Sequence, residues 1–91
     1  MSKLIMKLFV TGKTGRSNQA VSNLMNICRE RFGDDFDVTI IDVLDQPMAA
    51  EKDRILATPT LLKVEPLPEC RIIGDMSDKR RVLGALQNQM D

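Results

Sequence analysis

The sequence predicts an α/β fold with the element order β-α-β-α-β-β-α. Three observations predict it. Leu4, Met6, Leu8 and Val10 alternate with Ile5, Lys7, Phe9 and Thr11, the period of two that marks a strand. Ala20, Leu24, Ile27 and Cys28 then recur at helical spacing. Finally, a helical pattern ending near Leu56 passes through Ala57-Thr58-Pro59-Thr60 into the apolar run Leu61-Leu62-Lys63-Val64. The chain has 91 residues and reads as one domain, 1–91.

Each element follows from local chemistry. The first strand carries apolar residues on both faces, which predicts a central position in the sheet. Gly12-Lys13-Thr14-Gly15 breaks it, and Ser17 is the expected N-cap of the first helix. Val21 and Met25 flank that helix's apolar stripe, and Gly33 ends it after Arg29, Arg31 and Phe32. Phe36, Val38 and Ile40, with Ile41 and Val43 opposite, form the second strand. A helical connection makes it parallel to the first, in a right-handed βαβ unit. Asp45 or Gln46 caps a short second helix with Pro47 in its first turn, where the missing N–H has no consequence. Thr60 to Glu65 is the third strand. Pro66-Leu67-Pro68 turns the chain, so Arg71 to Asp75 returns antiparallel to it. Ser77 is the expected cap of the last helix, in which Val82, Leu83, Leu86 and Met90 share a face.

Composition excludes several function classes. Thirteen basic and thirteen acidic residues cancel, leaving no net field to steer the chain onto nucleic acid or an anionic membrane. No apolar run approaches the ~20 residues of a membrane span. The N-terminus runs straight into strand alternation without a signal-peptide pattern, and two cysteines fit a reduced, cytoplasmic setting. The chain contains no His, the commonest general base and metal ligand. No cofactor or metal site is expected.

Pro59 at the mouth of a strand must occupy its first positions or an edge, because it donates nothing to the ladder. The preceding bond is of the one type for which cis is inexpensive, about 0.5–1 kcal/mol. Helix, Ala-Thr-Pro-Thr, strand resembles the entry of the thioredoxin-like fold into its third strand, usually with that proline cis. Thioredoxin relatives hold a nucleophilic Cys at the start of the first helix, where the helix dipole lowers its pKa. The matching stretch here, Thr11 to Ser17, contains none. Ser17 reads as a cap, Cys28 as a buried small hydrophobe and Cys70 as partly exposed. Gly12-Lys13-Thr14 is not a phosphate loop, since the residues before it belong to the strand. The acidic residues are scattered and fit capping and solvation. Lys79-Arg80-Arg81 at a helix start is an unfavourable place for positive charge and reads as a solvated or a partner-facing run.

Three separated blocks carry a more specific resemblance: Ile41-Asp42-Val43-Leu44, Asp53 to Leu61, and Arg71-Ile72-Ile73-Gly74-Asp75 followed by Ser77. With Lys7-Leu8-Phe9-Val10 and Gly12, they make the chain similar to the KaiB family over roughly residues 4 to 86. The resemblance implies binding without catalysis. Family members dock on the N-terminal ATPase ring of KaiC, recruit KaiA and compete with a sensor kinase for the ring. It also implies two folds. In the ground-state oligomer, a tetramer or dimer, the second half of the chain is rearranged, while a thioredoxin-like monomer binds KaiC.

The implied partner-binding residues are Lys7, Arg54, Lys63 and Arg71. Gln19, Thr39 and Cys70 stand where clock members tend to carry Lys or Arg. The implied switch residues are Pro59, Pro66, Pro68, Ala85 and Gln87. Clock members tend to have Gly in place of Ala85 and Asp in place of Gln87, and both changes favour the last helix and hence the thioredoxin-like state. Two alternative readings are a thiol- or glutathione-dependent enzyme and a binding module for another sensor kinase.

Overall fold

The computed structural model describes residues 3–87. Its elements are β1 (Leu4–Val10), α1 (Gly15–Phe32), β2 (Phe36–Asp42), α2 (Pro47–Lys52), β3 (Thr60–Glu65), β4 (Cys70–Ile73) and α3 (Lys79–Leu86), the predicted order. They build one mixed sheet, β2-β1-β3-β4. β1 is central, parallel to β2 and antiparallel to β3, and β3 is antiparallel to β4. The second half of the chain therefore takes the β-β-α arrangement, not the rearranged one. Met90 lies outside the described residues.

Strand alternation sends each strand's side chains to two different cores. The larger one lies under α1 and α3. Met6, Leu8 and Leu61 meet Ala20, Leu24, Ile27 and Cys28 from α1, and Val82, Leu83 and Leu86 from α3. The smaller lies under α2, where Phe9, Ile41 and Leu62 are buried against Ala49, Ala50 and Ile55. The six-residue α2 covers only part of its face, so the sheet there stays partly open.

Two expected caps are shifted by neighbouring residues. Thr14, not Ser17, is the N-cap of α1, and its Oγ1 accepts from the Ser17 N–H at 3.1 Å. Ser17 sits one turn in and is buried, its hydroxyl donating to the Thr11 carbonyl. Thr14 wins because the helix starts directly after the glycine-containing turn, at Gly15. Asp78, not Ser77, caps α3 and accepts from the Arg81 N–H at 3.2 Å. The Ser77 N–H is bonded instead to the Asp75 carboxylate. The Ser77 hydroxyl first, and this N–H after it, hold the Asp75 carboxyl below its ordinary range.

The basic run at the start of α3 also has local partners. Lys79 pairs with Glu30 of α1, and the Arg81 guanidinium donates to the Ile73 carbonyl at 3.3 Å. Gly33 ends α1 with φ near +62°, a conformation that only glycine adopts without strain. The Thr58–Pro59 bond is cis, as expected, and so are Glu65–Pro66 and Leu67–Pro68.

Gly84 lies inside α3, is exposed, and has open space where a Cβ would sit. Gly84→Ala is expected to stabilise the fold by about 0.5–1 kcal/mol, because Ala loses less backbone entropy in a helix. A thermal melt should rise by roughly 3–6 °C for a chain of this size. An unchanged melt would mean that α3 contributes little to the cooperative unit.

Candidate partner-binding face

The sheet face under α2 gathers three of the four expected basic residues. Lys7 is paired with Leu62, and Leu62 with Arg71, so the three residues form one row across β1, β3 and β4. Leu62 fills the smaller core, and its two neighbours flank it on the open part of the same face. The Lys7 ammonium meets the Asp53 carboxylate at 2.9 Å, with the two side chains 36% and 19% exposed. Asp53 ends α2, so this ion pair fixes the helix end to the central strand.

Arg54 follows in a left-handed conformation, φ 55°, which costs a non-glycine residue about 1–2 kcal/mol. Two contacts hold it there. The Arg54 N–H donates to the Glu51 carbonyl at 3.1 Å, and the Arg71 guanidinium donates to the Arg54 carbonyl at 3.2 Å. Arg71 thus clamps the turn that presents the Arg54 side chain.

Lys63 is a different case. It pairs with Met6 and Cys70, so strand alternation sends its side chain to the α1/α3 face, where it is 1% exposed. In this fold it offers no surface to a partner, which corrects the expectation for this residue. The resemblance gave its residue type but not its facing. A count of two from Leu61, an obvious core residue, would have found it.

Exposed apolar residues border the same face. Ile73 is 53% exposed at the outer edge of β4, and Leu56 is 95% exposed just after Arg54. Leu56, with Thr11, Val43, Pro47, Ala50 and Thr58, lines a shallow groove beside Pro59. Leu44 and Met48, also exposed, extend the apolar surface beyond it. Asp53, Leu44 and Leu56 fall in the blocks that carry the resemblance, but neither Asp53 nor this apolar rim was named as a binding residue. The signal for Asp53 was an acidic residue where the α2 pattern ends, but its partner lies 46 residues away.

The place of a thioredoxin nucleophile is occupied by capping chemistry. The Thr11 and Thr58 hydroxyls hydrogen-bond to each other, bridging the β1 end to the residue before Pro59. The Ser17 hydroxyl is buried and bonded to Thr14 and Thr11. Both cysteines are free thiols. Cys28 is fully buried, and burial pushes its thiol up to about 11. Cys70 is half-buried, its thiol donating to the Ala85 carbonyl at 3.5 Å.

Thiol titration of the native protein at pH 8 is expected to count one cysteine, Cys70, and a second only after denaturation. Two fast thiols in the native state would contradict this packing. Among the described residues, no helix is long and apolar enough to cross a membrane.

The KaiB domain family matches residues 7–88. The circadian clock protein KaiB3 of Synechocystis sp. is 49% identical over 83 residues, which span 91% of this chain and 81% of that protein. The circadian clock oscillator protein KaiB of Synechococcus elongatus is 52% identical over 79 residues, spanning 87% and 78%. Among solved structures, the N-terminal domain of Synechococcus elongatus SasA superposes with a TM-score of 0.80 at 24% identity, covering 100% of this chain and 90% of that domain. Mitochondrial thioredoxin 3 of Saccharomyces cerevisiae gives 0.75 at 16% identity, covering 98% and 81%. Those two likenesses establish a thioredoxin-like fold. About half the residues are shared with two KaiB proteins along most of the chain, the KaiB domain family matches residues 7–88, and on that ground the chain belongs to the KaiB family.

Proposed function

We propose that this protein is a non-catalytic clock or clock-derived regulator. It binds the N-terminal ATPase ring of a KaiC-type ATPase and modulates that enzyme's phosphorylation and output. The observation that carries the reading is the near 50% identity to proteins named as circadian clock components, over most of the chain. The α2 face supplies the contact. Arg54 gives charge, Lys7 fixes the end of α2 through Asp53, Arg71 holds the Arg54 turn in place, and Leu56 and Ile73 give apolar area that water leaves on docking. A small, half-apolar, half-basic patch of this kind suits an acidic partner surface, with association helped by electrostatic steering.

The regulator works by fold switching. A resting homo-oligomer, tetramer or dimer, holds the second half in another arrangement, and the thioredoxin-like form described here engages the ring. The segment that rearranges begins near Pro59, includes Pro66 and Pro68, and ends in α3. Ala85 is half-buried against the larger core, and Gln87 closes α3 with its N–H on the Leu83 carbonyl. Alanine favours helix over glycine by about 1 kcal/mol, which is roughly fivefold in a two-state population. The Gln87 side chain accepts from Arg31 at 3.2 Å. Arg31 would also pair with an aspartate at this position, so the position-87 change matters less than the helix dipole alone implies. In this reading a KaiA-type protein would join the same assembly, whereas a sensor kinase would compete for the ring.

Pull-down of the full chain with its cognate KaiC-type ATPase ring tests the reading. Co-precipitation that is lost when the ring domain is deleted is the expected result. No association with any KaiC-type ring encoded by the same organism would overturn it.

A further inference from the structure

The two edges of the sheet, β2 and β4, are built differently. β4 is four residues long, and the Arg81 guanidinium takes the Ile73 carbonyl at its end. β2 is seven residues long, follows β1 without a register shift, and contains no Pro, Lys or Arg. Short length, bulges, Pro and positive charge are the usual means of keeping an edge from pairing. β2 has none of them.

Its outward groups can be identified. The Val43 N–H donates to the Val10 carbonyl at 2.9 Å, and the Asp35 carbonyl accepts from the Leu4 N–H at 3.3 Å. Odd-numbered residues therefore turn their backbone groups toward β1, and Val38 and Ile40 turn theirs outward. Among the described residues, none from another element meets those groups. The edge is also apolar. Ile40 is 42% exposed, and farther along a hollow of about 300 Å³ opens between α1 and β2, lined by Met25, Arg29, Phe36 and Val38.

We propose that β2 is a self-pairing edge. Through it two copies of the thioredoxin-like form join into one continuous sheet, about a two-fold axis at Thr39. An antiparallel pair sets outward-facing residues against each other. The register centred on Thr39 does so and engages all of β2. Val38 meets the partner's Ile40 and Ile40 meets the partner's Val38, exchanging backbone hydrogen bonds at both places. Thr39 meets its own copy, a favourable cross-strand pair. Asp37 meets Ile41 and Asp42 meets Phe36, so no like charges oppose. The next registers are worse: centring on Val38 sets Asp34 against Asp42, and centring on Ile40 sets Val38 against Asp42.

Side chains fit the same register. Met25 and Arg29 flank Val38 and Phe36. The partner's Ile40 enters that hollow, and the partner's Asp42 comes to the Arg29 side, with each contact repeated by the two-fold axis. The pairing buries little beyond one strand and its flanks, which places it in the transient class of interfaces, under about 1,200 Å². β4 is the opposite edge, so Arg71 and the Arg54 turn that it holds stay open in the dimer. This inference is independent of the partner-binding reading.

The test is sedimentation of the full chain over a wide concentration range, with amide exchange followed by NMR. A monomer–dimer equilibrium with a Kd on the order of 10–100 μM is expected. On concentration the Val38 and Ile40 amides should slow about tenfold, while those of Asp37, Thr39 and Ile41, already bonded to β1, should change little. Thr39 is exposed, and Thr39→Lys and Thr39→Glu each set like charge across the axis. Each variant alone should dimerise about tenfold more weakly, and an equimolar mixture should return to within about twofold of the natural protein.

A chain that stays monomeric at the highest concentration would overturn the proposal. So would an oligomer whose Val38 and Ile40 amides exchange as in the dilute chain, or a mixture no tighter than either variant alone. Protection of those two amides only when a different protein is added would assign the edge to that protein and overturn self-pairing.

Discussion

Arg54→Glu combined with Arg71→Glu is expected to weaken binding to a KaiC-type ATPase ring by roughly 30- to 100-fold, or about 2–3 kcal/mol. Two effects add. Each reversal places like charge against an acidic docking surface. Losing the Arg71 guanidinium also frees the Arg54 carbonyl that it holds at 3.2 Å, so the left-handed turn loses its clamp. Arg54→Gly alone separates these effects. It removes the charge but relieves the backbone strain, and it should cost about tenfold or less. Arg80→Glu is the control. Arg80 is exposed on α3, across the sheet from the proposed surface, and reversal there should leave the affinity within about twofold. Titration calorimetry or surface-plasmon measurements read all four proteins. Equal loss from Arg80→Glu and from the double variant would mean that only net charge matters and that no face is selected.

Phe9→Ala is expected to leave little folded protein at 37 °C. Phe9 is fully buried near the end of β1, the central strand, and is the largest side chain of the smaller core. Removing a buried phenyl ring costs about 3–5 kcal/mol, transfer and cavity terms together. A 91-residue domain has only about 5–14 kcal/mol of total stability. The melt should fall by roughly 15–30 °C. The smaller core has just three buried apolar residues and cannot redistribute the loss. Leu83→Ala, in the larger core and 8% exposed, should cost less, about 2–3 kcal/mol. A Phe9→Ala protein with a natural melt would show that α2 is held by something other than this core. The same variant should also lose ring binding, because α2 and Asp53 position the turn that carries Arg54.

The parts of this architecture that depend on periodicity and on special backbone residues were readable in the amino-acid chain. β1 was recognised as central because it is apolar on both faces, and it does separate two cores. Gly33 and Pro47 marked helix ends because their backbone chemistry allows few other places. The caps were missed by one to three residues. Ser17 and Ser77 are good capping types, but Thr14 and Asp78 are equally good and lie nearer the true helix starts.

The candidate surface was harder. Lys7 and Arg71 share the α2 face, whereas Lys63, named with them, is buried on the other one. Residue type carries no information about facing, whereas strand parity does. Asp53 was out of reach for a different reason: its role depends on Lys7, and only the folded sheet brings them together. The left-handed turn at Arg54 left no trace either, since glycine or asparagine would have announced it and arginine does not.

The central claim is that the α2 face of this fold, and not the face under α1 and α3, meets the ATPase ring. Hydrogen exchange of the full chain, free and bound to its cognate ring, tests it most directly. Protection on binding is expected at Asp53 to Leu56 and at Arg71 to Ile73, with the exposed outer side of α1 unchanged. Protection concentrated on α1 and α3, with Asp53 to Leu56 exchanging as in the free chain, would contradict it.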